Sequence, residues 1–445
     1  MNPTGNINPI GKWVGWKPSL FEQRGSLIYI LRWTFLGITT GVIVGVGVAV
    51  FLKMLIWAIE VWTQAWYYYF FLPGILFLNC WLMSFLAIQA TGGSDKVIEA
   101  IHQRNGYLQL SDMPVKIVAT IITIAAGGSA GKEGPAAQIG ATLAAAWAKF
   151  LRISRADYRK VVICGLSAGF ACVFGTPVAG AIFGVEVLFI GKILYDTLYP
   201  AFVAGLTGYY ICHIIGVPYF YLQIHVEPTG YLIFQSIMLG VVCGLMAIFF
   251  IKTIKFCKYS FTCLRIAQPA KAFVGGIVLI LIGYFASPLY LGLGLELLET
   301  GVSGQSVVAT AFFWKTLATG ITLGCGGTGG IIMPIVIVGT VTGNLFGQLF
   351  GNLDIVVYAA LGMVALLAAA VNIPVAAVVM AAELFGGDII PYAAVSCSIS
   401  YLISGHRSVY PSQIIVVGKN PYLRSDEGKT VSLVEERRFV CKSEN

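Results

Sequence analysis

Two glycine-rich segments carry the residue types from which an anion-binding site can be built. The first reads GGSAGKEGPAAQIGAT from Gly127, and the second reads GCGGTGGIIMPIVIVGT from Gly324. Each predicts a helix that begins just after the glycines, because proline is tolerated in the first helical turn. The first N–H groups of such a helix lack partners within it, and the positive end of its dipole points the same way. Glycine lets the backbone approach an ion closely, so the sequence predicts two anion cradles built from backbone donors.

Glu133 is the side chain at these cradles with the clearest chemical potential. It lies between Lys132 and Gly134 at the start of the predicted helix, in a segment with no other acid. A carboxylate inside a membrane is costly and calls for a functional reason. It can occupy the place of the anion, and it can gate the site or carry a proton when it swings away. The alternative is a solvated carboxylate at the helix start that the helix dipole stabilises. Lys132 either raises the local positive potential or is an ordinary interfacial lysine.

The composition of the chain shows which kind of structure must position these groups. Of its 445 residues 58% are hydrophobic and 11% are charged, and the mean hydropathy is +0.83, whereas soluble domains carry roughly twice that charge. Apolar stretches long enough to cross a bilayer recur, for example from Leu27, Tyr231 and Ala272. The 52 glycines cluster beside prolines, which favours closely packed and interrupted helices. We predict an all-α polytopic membrane protein with ten or more membrane helices.

The two glycine-rich segments belong to an internal repeat. Pro135 and Pro334 lie 199 positions apart, and further along, Glu186 and Glu383 lie 197 positions apart in similar surroundings. Two copies of one membrane unit predict a site where their helix breaks meet. Because Glu186 has a repeat partner, we favour a shared structural role for both acids, such as capping a buried break, over a proton relay.

The repeat also sets the expected domain organisation. We predict a single transmembrane domain over residues 1–445, with repeat one at about 27–215 and repeat two at about 229–410. Short cytoplasmic tails are expected at both ends. The stretch around residues 218–228 would connect the copies.

The net charge of +8 does not indicate a nucleic-acid partner, because the basic residues form short runs between apolar segments. Such runs, near Arg152 and Lys252, are typical of cytoplasmic loops. Basic residues also precede or enter the first span, which places the N-terminus in the cytoplasm: Lys12, Lys17, Arg24 and Arg32. No cleavable signal pattern precedes that span. Ten scattered cysteines lack metal-site spacing, so we expect buried thiols and neither a metal nor a cofactor.

Two enzyme-like interpretations do not fit the residues. The phosphate-binding loop requires Ser or Thr after GK and an earlier glycine, but here Glu133 follows the lysine and Ala126 takes the glycine position. The HExxH signature of zinc hydrolases is lacking, and the four histidines are isolated in the sequence, so no histidine is placed beside a nucleophile or a metal ligand. We therefore expect a protein that is not an enzyme.

Three motifs resemble those of the CLC family of chloride channels and chloride/proton antiporters. GKEGP at Gly131–Pro135 resembles the GK/REGP motif, GGIIMP at Gly329–Pro334 resembles GxFxP, and SVYPS around Tyr410 resembles the segment with the pore tyrosine. The resemblance implies a homodimer with one pore per subunit, inverted repeats, and Glu133 as the external gating glutamate. The short polar tail points to the prokaryotic type without CBS domains.

The same resemblance implies which groups bind the anion. The backbone amides of Lys132, Glu133 and Gly134 would face an external site. The amides of Ile331 and Ile332 and the hydroxyl of Tyr410 would face a central one.

Departures from the family pattern leave some properties open. Gly92 stands where the family has a serine that contacts the central anion, although another alignment would place Ser94 there; alternatively, Ser94 caps the following helix. Val187 stands where the proton-coupled members have an internal glutamate. Ile332 replaces the phenylalanine of the family motif, which would reshape the pore.

These observations predict transport of chloride, or a similar small inorganic anion, through a pore in each subunit that Glu133 gates. The alternatives are a chloride/proton antiporter with a non-standard proton route, and a carrier for nitrate, fluoride or an organic anion. The bilayer, the anion and, in the antiporter alternative, protons are then the partners. By analogy we expect the inner membrane of a prokaryote.

Overall fold

A computed structural model describes residues 20–65, 67–86, 92–227, 229–350 and 355–436. Lys12 and Lys17, predicted to mark a cytoplasmic N-terminus, lie outside the described residues. The described part forms sixteen α-helices: α1 Leu20–Thr63, α2 Leu72–Phe85, α3 Gly93–Gln103, α4 Asp112–Ala125, α5 Glu133–Phe150, α6 Arg155–Phe174, α7 Pro177–Glu186, α8 Tyr195–Ile214, α9 Gly230–Cys263, α10 Gln268–Phe285, α11 Leu295–Val302, α12 Ala311–Gly324, α13 Ile332–Phe350, α14 Ile355–Val371, α15 Pro374–Phe385 and α16 Ile390–Ser404.

Few of these helices could cross a membrane alone. By length and composition five described segments could do so: Gln23–Thr63, Tyr68–Phe85, Gly230–Cys263, Gln268–Phe285 and Ile332–Phe350. That is fewer than the ten or more predicted from the apolar runs. The difference arises because many apolar runs fold as shorter helices, such as α7 with 10 residues and α15 with 12. Interrupted helices of this kind are tolerated within membranes where other protein segments cover their ends.

The two halves of the chain repeat the same helices. The pairs α4 and α12, and α5 and α13, begin 199 positions apart, which matches the spacing of the sequence motifs. Each half also has a close glycine crossing. A methyl group at Gly140 would overlap the carbonyl oxygen of Gly165, and one at Gly339 would lie 2.6 Å from that of Gly362. The exact limits of the repeats stay a prediction, which this correspondence supports.

Two short helices from opposite halves cap each other. The Glu186 carboxylate at the end of α7 accepts hydrogen bonds from the backbone N–H groups of Val375 (3.1 Å) and Ala376 (2.8 Å) at the start of α15. The Glu383 carboxylate near the end of α15 accepts them from Val178 (2.9 Å) and Ala179 (2.8 Å) at the start of α7. Four N–H groups that an isolated helix leaves unpaired are thus satisfied. The predicted capping role of both glutamates is confirmed.

Contacts place both predicted basic runs on the side of the C-terminal segment. The guanidinium of Arg32, early in α1, pairs with Asp157 at the start of α6 at 2.7 Å. Lys255, near the end of α9, pairs with Glu435 of the C-terminal segment. Strand β1 (Phe189–Ile190) pairs in parallel with β2 (Ile414–Ile415) on this side. We call this the inner side, since clustered Lys and Arg are typical of the cytoplasmic face.

The cysteines behave as small apolar residues. The nine in the described residues are all free thiols, and eight of them are buried. The prediction of buried thiols is confirmed for those eight and is wrong for Cys263, which is exposed. No group of three or more His, Cys, Asp and Glu side chains with metal-site geometry occurs within the described ranges.

Candidate functional site

The two glycine-rich breaks meet and pair through their backbones. The N–H of Gly131 donates to the carbonyl of Gly330 at 2.7 Å, and the N–H of Gly330 donates back at 2.6 Å, which makes an isolated antiparallel bridge. Glycine is required here because a methyl group at Gly330 would lie 2.7 Å from the nitrogen of Gly134. Helices α5 and α13 therefore begin side by side, each directly after this bridge. The meeting of the breaks agrees with the expectation from the repeat.

The carboxylate of Glu133 sits at this meeting point and is completely buried, with 0% exposure. Its Oε2 accepts a hydrogen bond of 3.1 Å from the backbone N–H of Met333 in α13. The carboxylate also faces its own N–H and that of Lys132. Its Oε1 has no hydrogen-bond partner among the described residues. The alternative of a solvated helix-start carboxylate is therefore wrong.

Two cavities approach Glu133 from opposite sides. The inner cavity, on the side of the C-terminal segment, has a volume of about 260 Å³ and includes Gly134 in its lining. The outer cavity measures about 480 Å³, includes Lys132, and lies beside the second half of α1 and the loop after α8. Neither lining includes Glu133 itself. The residues on either side of Glu133 thus face different cavities, and the buried Glu133 stands between them.

Two buried hydroxyls line the inner cavity. Tyr410 and Ser94 are 3% and 2% exposed, and neither hydroxyl has a partner at hydrogen-bond distance among the described residues. The Tyr410 backbone is fixed by a 3.0 Å hydrogen bond from its N–H to Ser408 Oγ. Buried polar groups are almost always hydrogen-bonded, so an unpartnered pair at a cavity wall is a candidate ligand set.

The position of Ser94 bears on whether Gly92 or Ser94 faces the central anion site, which the sequence left open. Ser94 lies in the first turn of α3 and makes no capping hydrogen bond with its side chain. Gly92, just before the helix, also lines the inner cavity but has no side chain to offer. Ser94 can therefore supply the hydroxyl that Gly92 lacks. The alternative role of Ser94 as a side-chain cap is wrong.

The remaining predicted site residues lie at different distances from the cavities. Ile331 lines the inner cavity. Ile332, the first residue of α13, is buried and is part of neither lining. Position 332 corresponds to position 133 in the repeat, so isoleucine stands in the second half where glutamate stands in the first.

Two residues that contribute to the site were missed by the sequence interpretation. Met333 supplies the N–H that holds Glu133, and the repeat spacing could have revealed it because Met333 corresponds to Gly134. Asp95 lines the inner cavity, and its Oδ1 accepts a 3.1 Å hydrogen bond from the N–H of Ser412. No sequence pattern connects Asp95 to Ser412, which lies 317 positions away.

Comparisons with known proteins agree with this geometry. The family model described as voltage gated chloride channel matches residues 74–405. A chloride/fluoride channel protein of Pseudomonas syringae pv. tomato is 32% identical over 441 residues, with 95% of each chain covered. The voltage-gated ClC-type chloride channel ClcB of Shigella flexneri is 26% identical and covers 68% of this chain and 75% of its own.

Solved structures show the same architecture. A CLC-type fluoride/proton antiporter has a TM-score of 0.82 and 27% identity, with 89% of this chain and 99% of the other covered. A slow cyanobacterial Cl⁻/H⁺ antiporter has a TM-score of 0.74 and 23% identity, with 93% and 99% covered, which supports the fold. The predicted all-α fold is confirmed.

Proposed function

This chain belongs to the voltage-gated chloride channel family, and from that premise we propose that it moves chloride or a similar small anion between the inner and outer cavities, with Glu133 as the gate. Members of this family are anion channels and transporters rather than enzymes. The proposal concerns the path, the gate and the ion.

The observation that carries the proposal is the position of the Glu133 carboxylate. It is a buried anion held by the N–H of Met333, with Gly134 facing one cavity and Lys132 the other. A carboxylate satisfies the same donors that a halide would satisfy, because backbone N–H groups at a helix start bind any small anion. Glu133 therefore competes with the transported ion for this place.

The inner cavity supplies the donors that an anion meets before it reaches the gate. The hydroxyls of Ser94 and Tyr410 and the glycine-rich backbone around Gly330 line its wall. Such donors carry no full charge, so they replace the water of the ion and still release it. When the Glu133 carboxylate leaves its place or gains a proton, the N–H of Met333 becomes available to the ion.

Anion efflux from liposomes that contain the purified protein tests the proposal. We expect wild-type flux to depend on pH, and Glu133→Gln and Glu133→Ala to change the flux and remove most of that dependence, because the competing negative charge is gone. Glu427→Gln is the matched control, since Glu427 is exposed and belongs to the lining of neither cavity. Unchanged flux and pH dependence in both Glu133 variants would rule out Glu133 as the gate.

A second candidate function is anion/proton exchange, with fluoride as an alternative ion. Two structures similar to this chain are described as fluoride/proton and Cl⁻/H⁺ antiporters, and one relative is named a chloride/fluoride channel protein. Glu133 can carry a proton as it moves between the cavities. Uphill proton movement driven by a chloride or fluoride gradient in the same liposomes would support exchange, and comparison of the two gradients would identify the preferred ion.

The expected assembly and location also stay proposals. We propose a homodimer with one pathway per subunit in the inner membrane of a prokaryote, in line with the family. Cross-linking in native membranes tests the dimer, and membrane fractionation tests the location.

A further inference from the structure

An acidic side chain stands at the inner end of the proposed anion path, where an anion pathway would be expected to avoid one. Asp95 lies in the first turn of α3 and lines the inner cavity. Its Oδ1 accepts the 3.1 Å hydrogen bond from Ser412, which fixes the direction of the side chain. None of the ion pairs within 4.0 Å in the described part of the chain includes Asp95, so no cation neutralises it directly.

The charged groups that line the inner cavity with Asp95 come from two helices, α3 and α9. Glu99 and Lys96 share its helix and line the same cavity, and Lys96 pairs with Asp112 at 3.3 Å rather than with Asp95. Helix α9 contributes Lys255 and Lys258 to the cavity wall, and Lys255 pairs with Glu435 of the C-terminal segment.

The Tyr410 hydroxyl lies near both Asp95 and Glu133. It lines the cavity and is close enough to both Asp95 and Glu133 to be influenced by the charge of each. The neighbouring Ser94 hydroxyl is likewise unpartnered. Unpaired hydroxyls can accept a proton on one side and donate one on the other.

We propose that Asp95 is the inner proton-exchange site of this protein and takes the role that Val187 cannot fill. This inference rests on the proposed function, and in particular on its proton-exchange form. The Asp95 carboxyl releases a proton into the chain of hydroxyls or water in the inner cavity, and for each proton released there, one proton passes from this chain to the Glu133 carboxylate. The Asp95 carboxylate then regains a proton from the inner solution. The proton and the anion would then share the inner cavity.

The local environment suits this exchange. Burial is the main cause that raises the pKa of the Asp95 carboxyl, to about 6, and the negative charge of Glu99 adds to it, while the Ser412 hydrogen bonds and Lys258 oppose it.

Simultaneous measurement of anion and proton flux in liposomes tests the inference, with Asp95→Asn as the main variant. Asparagine keeps an oxygen acceptor for the N–H of Ser412 but cannot carry a proton. We expect proton flux per anion to fall at least about tenfold, on the scale of one lost proton-transfer group, while anion flux continues. Asp95→Glu, which keeps a carboxyl group at this position, should show the proton flux that Asp95→Asn loses. Glu427→Gln is the matched control, because Glu427 also accepts a backbone hydrogen bond, from Gly418 at 2.9 Å, but lies outside the cavity lining.

Each result decides the inference. An unchanged proton-to-anion ratio in Asp95→Asn overturns it, and so does wild-type protein that moves anions without protons, although the proposed function would then survive. Wild-type protein that moves neither ion overturns the proposed function too. Failure of Asp95→Glu to restore coupling also overturns it, because Asp95 would then be a structural residue. If Asp95→Asn does not fold, Asp95→Ser offers a second acceptor that cannot titrate.

Discussion

The two junctions between the halves of this protein use glutamate in opposite ways. Where α7 meets α15, each half contributes one carboxylate, Glu186 or Glu383, and each carboxylate caps the helix of the other half. Where α5 meets α13, Glu133 faces Ile332 at the matching position, and one carboxylate oxygen has no hydrogen-bond partner among the described residues. Matched acids with satisfied hydrogen bonds stabilise the fold. Glu133 has no matching acid in the other half and has one carboxylate oxygen without a hydrogen bond. Because it stands between two cavities, it is free to take part in transport.

A pair of buried lysines matches between the halves in residue type but not in hydrogen bonds. Lys116 and Lys315 occupy matching positions in α4 and α12, but Lys315 Nζ donates to the carbonyls of Tyr290 (3.2 Å) and Gly292 (3.0 Å). Lys116 Nζ lies 3.5 Å from Gln138 Oε1, at the limit of a hydrogen bond. A matched residue type therefore does not by itself give a matched role, and the hydrogen bonds must be compared as well.

The largest expected effect comes from breaking the matched pair. Glu186→Ala leaves the N–H groups of Val375 and Ala376 without acceptors, and the buried group of Ala376 alone costs about 1–3 kcal/mol when unsatisfied, a sizeable part of the stability of a typical domain. We expect little folded protein in detergent by size-exclusion chromatography, and a lower Tm for what remains. Glu383→Ala should be milder, because the Glu383 side chain is only partly buried whereas Glu186 is buried, so its removal leaves less unfilled space.

Glu299→Ala, at an exposed position of α11, is the control for this prediction. A Glu186→Ala variant as stable as this control would show that the reciprocal hydrogen bonds are not needed for the fold. If Glu186→Ala proved stable and lost only proton coupling, Glu186 would instead belong to a proton path.

The sequence allowed much of this arrangement to be predicted, and the reasons are local. Glycines and proline at Gly131–Pro135 specify a helix start whatever surrounds it, and the repeat spacing relates Glu186 to Glu383. Only the repeat spacing could have revealed the partner of Glu133, because the N–H of Met333 belongs to the backbone and leaves no signature in residue type. The sequence could not reveal the place of Asp95, which depends on how the distant C-terminal segment packs.

A smaller effect is expected when the Glu133 carboxylate is displaced from its position beside the N–H of Met333. A methyl group at residue 131 would overlap Glu133 Oε2 and lie 3.1 Å from the nitrogen of Met333. In Gly131→Ala we therefore expect the carboxylate to lose its hydrogen bond. Anion flux above neutral pH should rise by about tenfold, on the scale of one hydrogen bond to a charged group.

The control for this variant is Gly74→Ala in α2, where an added methyl group would contact nothing within 4 Å. The flux measurement should be made on liposomes with equal protein content. If the anion flux of Gly131→Ala equals that of the control at every pH, the hydrogen bond that holds the Glu133 carboxylate does not limit transport.

The smallest effect is expected at the hydroxyls of the inner cavity. Ser94→Ala removes one unpartnered donor, so anion affinity should fall by about two- to tenfold, the range for one hydrogen bond. Titration of chloride and fluoride by isothermal calorimetry measures this change and any difference between the ions. Ser303→Ala is the control, since Ser303 is exposed and bonds within its own helix turn. Equal affinities in the two variants would exclude the Ser94 hydroxyl as a ligand.

Anomalous X-ray scattering from bromide is the most direct test of the claim that the Glu133 carboxylate occupies the place of an anion. Crystals of the wild-type protein and of Glu133→Ala would be grown in bromide at a pH where the carboxylate is charged. We predict an anomalous peak beside the backbone N–H of Met333 in Glu133→Ala and none there in the wild type. Bromide missing from that place in the variant, or present there in the wild type with the carboxylate still bound to Met333, would contradict the claim.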